Sequence, residues 1–336
     1  MTGEKILLWQ EGEYNYPAAY GFVPFMTSYI HEDKEERPAM IVVPGGAYRN
    51  VSPSEGHLPA EEFYRAGYNV FVLAYTVNLL GGEPLRFQPL NDIARAVRML
   101  RAHAERYSID PSKIALCGFS AGGHLAASLC VHHGDIPDGR HEYRMVPARP
   151  DAAILAYPVI TTGEYAHRDS VTALLGENPG EDELAYMSLE HHVTADTPPC
   201  FIWQTVTDAT VPVENSYAFA KACRKAGTVF AHHVFSGGIH GMSIATETWL
   251  ARDFGVPYTL EQIRLLADAI ISGASKYPPE QGRQILEDFG LDGQKNEKWE
   301  PEMKEQIRQT LGEVGIWPRL AEEWLAKIWR EEEKRK

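Results

Sequence analysis

Lys113-Ile-Ala-Leu-Cys-Gly-Phe-Ser-Ala-Gly-Gly-His124 decides the reading of this chain. An apolar run enters Gly118-Phe119-Ser120-Ala121-Gly122, a G-x-S-x-G segment, and His124-Leu-Ala-Ala-Ser-Leu-Cys130 leaves it with the small residues of a packed helix. A serine is thereby predicted at a tight turn from strand to helix. Glycines on both sides remove side chains that would collide in such a turn, and the hydroxyl is pushed clear of the sheet, facing substrate. The positive end of the following helix, with the Ala121 N–H, then lies beside any oxyanion formed there.

The same grammar recurs upstream and downstream. Pro38-Ala-Met-Ile-Val-Val43 is a continuous apolar run of central-strand type, and it ends at Pro44-Gly45-Gly46-Ala47-Tyr48, where a glycine pair lets backbone N–H groups turn inward. Leu58–Ala66 reads as a helix stopped at Gly67, and Asn69–Tyr75 as the next buried strand, which makes a right-handed crossover. Pro89 to Tyr107 carries Leu90, Ile93, Ala94, Val97, Leu100 and Ala104 at helical spacing. Residues 5–31 read as an opening antiparallel hairpin region. Asp151–Pro158, Pro199–Thr205 and Thr228–Phe235 are further strands. The glycine-, proline- and acid-rich span 161–198 reads as loops with short helices, suited to a lid or substrate wall. Its His191-His192 pair has no third ligand at a metal-site spacing and is read as a solvent-facing helix end.

Asp208 falls in the loop leaving the strand at 199–205, and His240 in the glycine-rich loop Ser236-Gly-Gly-Ile-His-Gly-Met-Ser243 after the strand at 228–235. Ser120, Asp208 and His240 thus follow separate strands of one parallel sheet, whose common direction brings their loops to one edge. A hydroxyl is a poor nucleophile until a neutral imidazole takes its proton, and that imidazole needs a carboxylate to fix its tautomer. Rival positions fit less well. Asp151 opens its strand at the wrong end and Asp196 precedes one. His124, His132 and His133 belong to the helix after Ser120, while His232 and His233 fall within a strand. Asp92 is read as solvated or sheet-capping.

Length and composition bound the rest. A chain of 336 residues, 44% hydrophobic, can bury one large core with an appended unit. The net charge of −14 leaves no basic stripe, so nucleic acid is not expected as a partner. No apolar run is long enough for a membrane span and no signal segment opens the chain, which points to a cytoplasmic protein. Cys117, Cys130, Cys200 and Cys223 are widely spaced and are expected to be buried and reduced.

These motifs resemble the α/β-hydrolase superfamily, in particular its acetyl-esterase and acetyl-xylan or feruloyl-esterase-like members, through P-G-G-x-Y, G-F-S-A-G-G-H, D-x-x-V-P and a late H-G. Here these are Pro44–Tyr48, Gly118–His124, Asp208–Pro212 and His240-Gly241; with Pro89–Asp92 and Val213–Ser216 the likeness spans roughly residues 38 to 250. Pro44–Ala47 aligns with the H-G-G-G segment of lipases and esterases, so Gly46 and Ala47 join Ala121 as expected oxyanion donors. The resemblance implies an α/β-hydrolase fold, a mostly parallel sheet flanked by helices, in one domain over 1–336. It implies a serine carboxylic-ester hydrolase working through an acyl-enzyme on short acyl esters, often O-acetyl groups on sugars, without metal or organic cofactor. The alternatives are a peptidase or formamidase acting on amides and, ranked lower, a non-catalytic binding protein. Relatives pass directly to a closing helix with a W-x-x-L-A-x-x-W-L pattern, matched at Trp317–Leu325, so residues 251–312 read as a helical insertion and 313–331 as the closing helix. Thr259 and Gln262 suggest a capping box within that insertion. Its expected use is a cap over the pocket, a contact in a homo-oligomer, or an exposed decoration.

Overall fold

The computed structural model describes residues 3–255, 257–293 and 299–334. Its strands are β1 (Glu4–Leu7), β2 (Phe25–Tyr29), β3 (Arg37–Val43), β4 (Asn69–Ala74), β5 (Ile109–Phe119), β6 (Ala152–Ala156), β7 (Cys200–Thr205) and β8 (Phe230–Phe235). They form one sheet in the order β1-β2-β4-β3-β5-β6-β7-β8. The two opening strands run antiparallel and the other six are parallel. β6 is an unbroken apolar run, and β3, β4 and β7 are apolar but for Arg37, Asn69 and the Gln204-Thr205 end, because helices cover both faces. The pleat divides β3 between two cores: Ile41 and Val43 pack on one side, Met40 and Val42 on the other.

The helices are α1 (His57–Arg65), α2 (Gln88–Ala102), α3 (Ala121–His132), α4 (Arg168–Leu175), α5 (Glu181–Tyr186), α6 (Glu214–Ala226), α7 (Glu247–Leu250), α8 (Glu261–Ile271), α9 (Pro279–Asp288), α10 (Pro301–Val314) and α11 (Trp317–Glu333). α2, α3 and α6 cover one face, and α1 with α11 the other, where Phe63, Trp203 and Trp317 meet. α2 is shorter than its apolar spacing predicts. It stops at Ala102, and a 3-10 turn at Glu105–Tyr107 with a left-handed Ser108 (φ 50°) redirects the chain into β5. Among the described residues no helix is long and apolar enough to cross a membrane.

The segment expected as an insertion differs from its reading in two respects. The boundary drawn at 312/313 falls inside α10, and the closing helix begins at Trp317. Thr259 and Gln262 form no capping box: Thr259 lies in a 3-10 turn at Tyr258–Leu260. Gln262 turns instead to the backbone of Val77, a tertiary partner that outcompetes the local cap. α8 and α9 pack on each other, and Ile263, Leu266, Ala267, Ile270 and Ile285 are buried in the main core, so this is no loose decoration.

Candidate active site

The turn that carries Ser120 is built by close approach. A Cβ on Gly118 would lie 2.4 Å from the Gly122 carbonyl oxygen, and one on Gly122 would lie 2.1 Å from that of Val43. Only hydrogen fits at either position, and α3 therefore starts tight against the ends of β3 and β5. Ser120 takes a left-handed backbone, φ 52° and ψ −119°, and its amide donates to Ala156 O at 3.0 Å. A non-glycine residue there is strained, and the neighbouring strands hold it.

Ser120, Asp208 and His240 meet. His240 Nε2 lies 2.8 Å from Ser120 Oγ, and His240 Nδ1 lies 2.6 Å from Asp208 Oδ2. A carboxylate only accepts, so Nδ1 carries the proton and Nε2 is free to accept from the serine hydroxyl. Asp208 is fully buried at its side chain. Its Oδ1 accepts the amides of Thr210 and Val211, both at 2.9 Å, and Gln204 Nε2 donates to Oδ2 at 3.1 Å. The order hydroxyl, neutral imidazole, fixed carboxylate can activate an oxygen nucleophile.

Beside Ser120 stands the Pro44–Tyr48 loop. A Cβ on Gly45 would fall 2.8 Å from Ser120 Cβ and 2.6 Å from the Phe119 carbonyl oxygen, so the two turns touch because Gly45 has no side chain. Gly46, Ala47 and Tyr48 follow with φ of 115°, 56° and 58°. This run of left-handed residues turns successive amides outward from the sheet. Among the described residues the N–H groups of Gly46, Ala47 and Ala121 donate to no protein acceptor. Tyr48 anchors the loop, its hydroxyl 2.8 Å from Nδ1 of the buried His124.

The rival residues lie elsewhere. Asp151 holds Arg101 and the Ile114 amide at the opposite end of β6, and Asp196 is exposed beside Arg149. His192 packs on His132 and Tyr186 and approaches the Ala185 carbonyl. Asp92 is buried rather than solvated and caps the sheet: the Thr76 amide and hydroxyl, Trp9 and Gln88 all donate to it. Burial raises its carboxyl to about 6. The span 161–198 contributes His167, whose ring feels the charges of His240 and Asp208 and is held below the usual imidazole range chiefly by burial.

Two neighbours of the relay carry no signal in the sequence. Glu55, in a 3-10 turn at Pro53–Glu55, is buried, and Tyr157, just past β6, packs its ring 5.0 Å from that of His240.

Known proteins resemble this chain in sequence and fold. A family model described as BD-FAE matches residues 28–223. Endo-1,4-beta-xylanase B of Butyrivibrio fibrisolvens is 51% identical over 255 residues, which are 76% of this chain and 40% of that protein. An acetylxylan esterase of Xylanibacter ruminicola is 30% identical over 229 residues, 66% of this chain and 44% of that protein. The chain thus spans less than half the length of these two curated relatives. The solved acetyl ester-xyloside bifunctional hydrolase of Caldicellulosiruptor lactoaceticus superposes with a TM-score of 0.68 at 34% identity, covering 86% of this chain and 97% of that one. With the family model taking in more than half of the residues and the sheet, turn and helices as described, the chain belongs to the BD-FAE family of α/β-hydrolase esterases.

Proposed function

We propose that the protein is a serine esterase that removes short acyl groups, acetyl above all, from carbohydrate hydroxyls by way of an acyl-enzyme. The observation that carries this reading is the continuous relay from Ser120 Oγ through His240 to Asp208, with contacts of 2.8 and 2.6 Å. His240 Nε2 takes the serine proton as Oγ attacks the ester carbonyl, and Asp208 balances the imidazolium that forms. The carbonyl oxygen, now an anion, is held by the N–H groups of Gly46, Ala47 and Ala121. His240 then returns the proton to the departing alcohol, and water repeats the sequence on the acyl-serine.

The carbohydrate part of the reading is supported by the names of the relatives, an acetylxylan esterase and an acetyl ester-xyloside hydrolase. α8 and the turn before α9 wall a cavity of about 370 Å³ with Tyr20, Asn78, Glu83 and Tyr277. Its Asn78 amide donates to the Tyr48 carbonyl at 2.8 Å, so the cavity adjoins the donor loop at the carboxyl edge of the sheet. We read it as room for the alcohol half of the ester. A cytoplasmic setting is part of the same proposal, supported by four buried, unpaired cysteines.

The test is hydrolysis of p-nitrophenyl acetate, acetylated xylo-oligosaccharides and an acyl anilide by the protein and by Ser120→Ala. Esters should be cleaved much faster than the anilide, and Ser120→Ala should lower turnover by about a thousandfold or more. Retention of most of the rate in that variant, or a preference for the anilide, would overturn the reading.

A further inference from the structure

Glu55 is an ionisable side chain buried beside the relay and assigned to no step so far. Its Oε2 accepts the Gly45 N–H at 2.7 Å and its Oε1 accepts the Tyr157 hydroxyl at 2.8 Å. A Cβ on Gly45 would touch both Oε2, at 3.0 Å, and Ser120 Cβ, at 2.8 Å, so the carboxylate lies within about 6 Å of the nucleophile's Cβ. Tyr157 is held with φ 36°, its ring between those of His240 and Trp203, each 5.0 Å away. The preceding residue of the same turn accepts, at the Ser54 carbonyl, a hydrogen bond from Ser243, three residues past His240. One turn therefore touches the donor loop, the residue beneath the imidazole and the histidine loop.

A charge is not needed for this packing. A glutamine could accept from Gly45 with its oxygen and donate to the Tyr157 oxygen with its nitrogen, at a lower desolvation cost. The surplus is the negative charge itself. Resting on the serine-esterase reading above, we propose that Glu55, acting through Gly45 and Tyr157, is a positioning residue that fixes the donor loop against Ser120 and adds a second negative charge behind the His240 imidazolium.

The groups around it leave that charge to Glu55 and Asp208. His240 is faced by Asp208, Tyr157, His167 and Glu55; Glu55 is faced by Tyr157, Tyr75, Cys117 and His240. Burial pushes the Tyr75 and Tyr157 hydroxyls and the Cys117 thiol upward, so all three stay neutral, and burial lowers His167. Burial holds the Glu55 carboxyl above its ordinary value, and the Tyr157 hydroxyl, the His240 charge and the Gly45 amide offset only part of that rise.

The experiment compares pH profiles of kcat and kcat/KM on p-nitrophenyl acetate for the protein, Ser120→Ala, Glu55→Gln and Tyr157→Phe, normalised to fluorophosphonate-labelled sites. Ser120→Ala tests the esterase reading alone: if the protein shows no serine-dependent hydrolysis, that reading fails, whatever Glu55 does. With it standing, Glu55→Gln should keep KM within about twofold and lower kcat roughly ten- to a hundredfold. Its acidic limb should move to lower pH, because a lost negative charge no longer favours the protonated ring. Tyr157→Phe should move the limb the same way: it removes a donor to ionised Glu55, which then holds its proton to higher pH, so that its charge is missing where the limb falls. A purely structural Glu55 would lower Tm and leave kcat per labelled site and both limbs in place, and that result overturns the proposal. Should Glu55→Gln not accumulate as folded protein, Tyr157→Phe decides alone, and an unmoved acidic limb in it overturns the proposal.

Discussion

The Gln262 carboxamide closes on both backbone groups of Val77: Oε1 accepts the Val77 N–H at 2.9 Å, and Nε2 donates to the Val77 carbonyl at 2.7 Å. All four atoms are buried. Gln262→Ala leaves an amide and a carbonyl without partners, at a cost of roughly 2–4 kcal/mol. Urea unfolding measures it; a loss under about 0.5 kcal/mol would mean that water enters and replaces the side chain.

If that clasp holds the cavity wall in place, the wall should matter for large substrates and not for small ones. Tyr277→Ala is expected to raise KM for acetylated xylo-oligosaccharides by about tenfold, the value of one lost ring contact, with p-nitrophenyl acetate kinetics unchanged. Equal effects on both substrates would remove the cavity from substrate binding.

Asp208→Asn separates orientation from packing. An asparagine oxygen can still accept from Thr210 and Val211, but its NH₂ then faces His240 Nδ1 and selects the tautomer with the proton on Nε2. A folded protein with kcat reduced about 10³- to 10⁴-fold is expected. A loss below tenfold would show that the carboxylate does not set the tautomer.

Two glycines in helices should respond with opposite signs to the same change. Alanine favours a helix by about 1 kcal/mol over glycine. At Gly312, where an added Cβ meets nothing within 4 Å, that gain stands alone and Gly312→Ala should stabilise by about that amount. At Gly122 the Cβ would lie 2.1 Å from Val43 O and 2.4 Å from Pro44 O, both backbone. Overpacking costs about 1–3 kcal/mol or more, so the clash wins and Gly122→Ala should destabilise. Thermal denaturation of the two variants decides.

His124 makes stability depend on pH. Its Nε2 is 3.0 Å from the Met187 carbonyl and must donate, which leaves Nδ1 to accept from Tyr48; the ring is satisfied only when neutral. Burial lowers it from 6.5 to about 4. A depressed folded value means that stability is complete above about 6.5 and drains away as pH falls toward 4, by about 3 kcal/mol in total. Asp92, raised by burial to about 6, has the opposite sign: it favours the fold as pH falls through 6. The difference between the protein and His124→Gln isolates the histidine. Urea unfolding at pH 7 and pH 4.5 should show the larger loss in the protein with His124, and equal losses would contradict the assignment.

Much of this architecture can be read from residue order because its signals are local. Ser120, Asp208 and His240 are polar residues in the turns and loops that follow β5, β7 and β8, and six strands of common direction are enough to bring such positions to one edge. Glu55 offers no comparable mark. Ser52-Pro-Ser-Glu55 has the composition of an exposed turn, and its burial comes from the nearby Gly45 together with Tyr157 and the 3-10 turn before α8, the last two distant in sequence. The same reason explains Gln262, where a local capping pattern lost to a backbone partner 185 positions away. α10 escaped the division at 312/313 because Ile307, Leu311 and Val314 join the core of Trp317, and Glu313 bonds Ser236 in the histidine loop.

The left-handed backbone at Ser120 has a thermodynamic side. An L-residue in that conformation costs about 1–2 kcal/mol that glycine would not incur, so the Ser120 hydroxyl sits on a residue poorly suited to its own torsion angles. Under the serine-esterase proposal, robustness and reactivity therefore pull this position in opposite directions, and glycine there would give a sturdier but inert molecule.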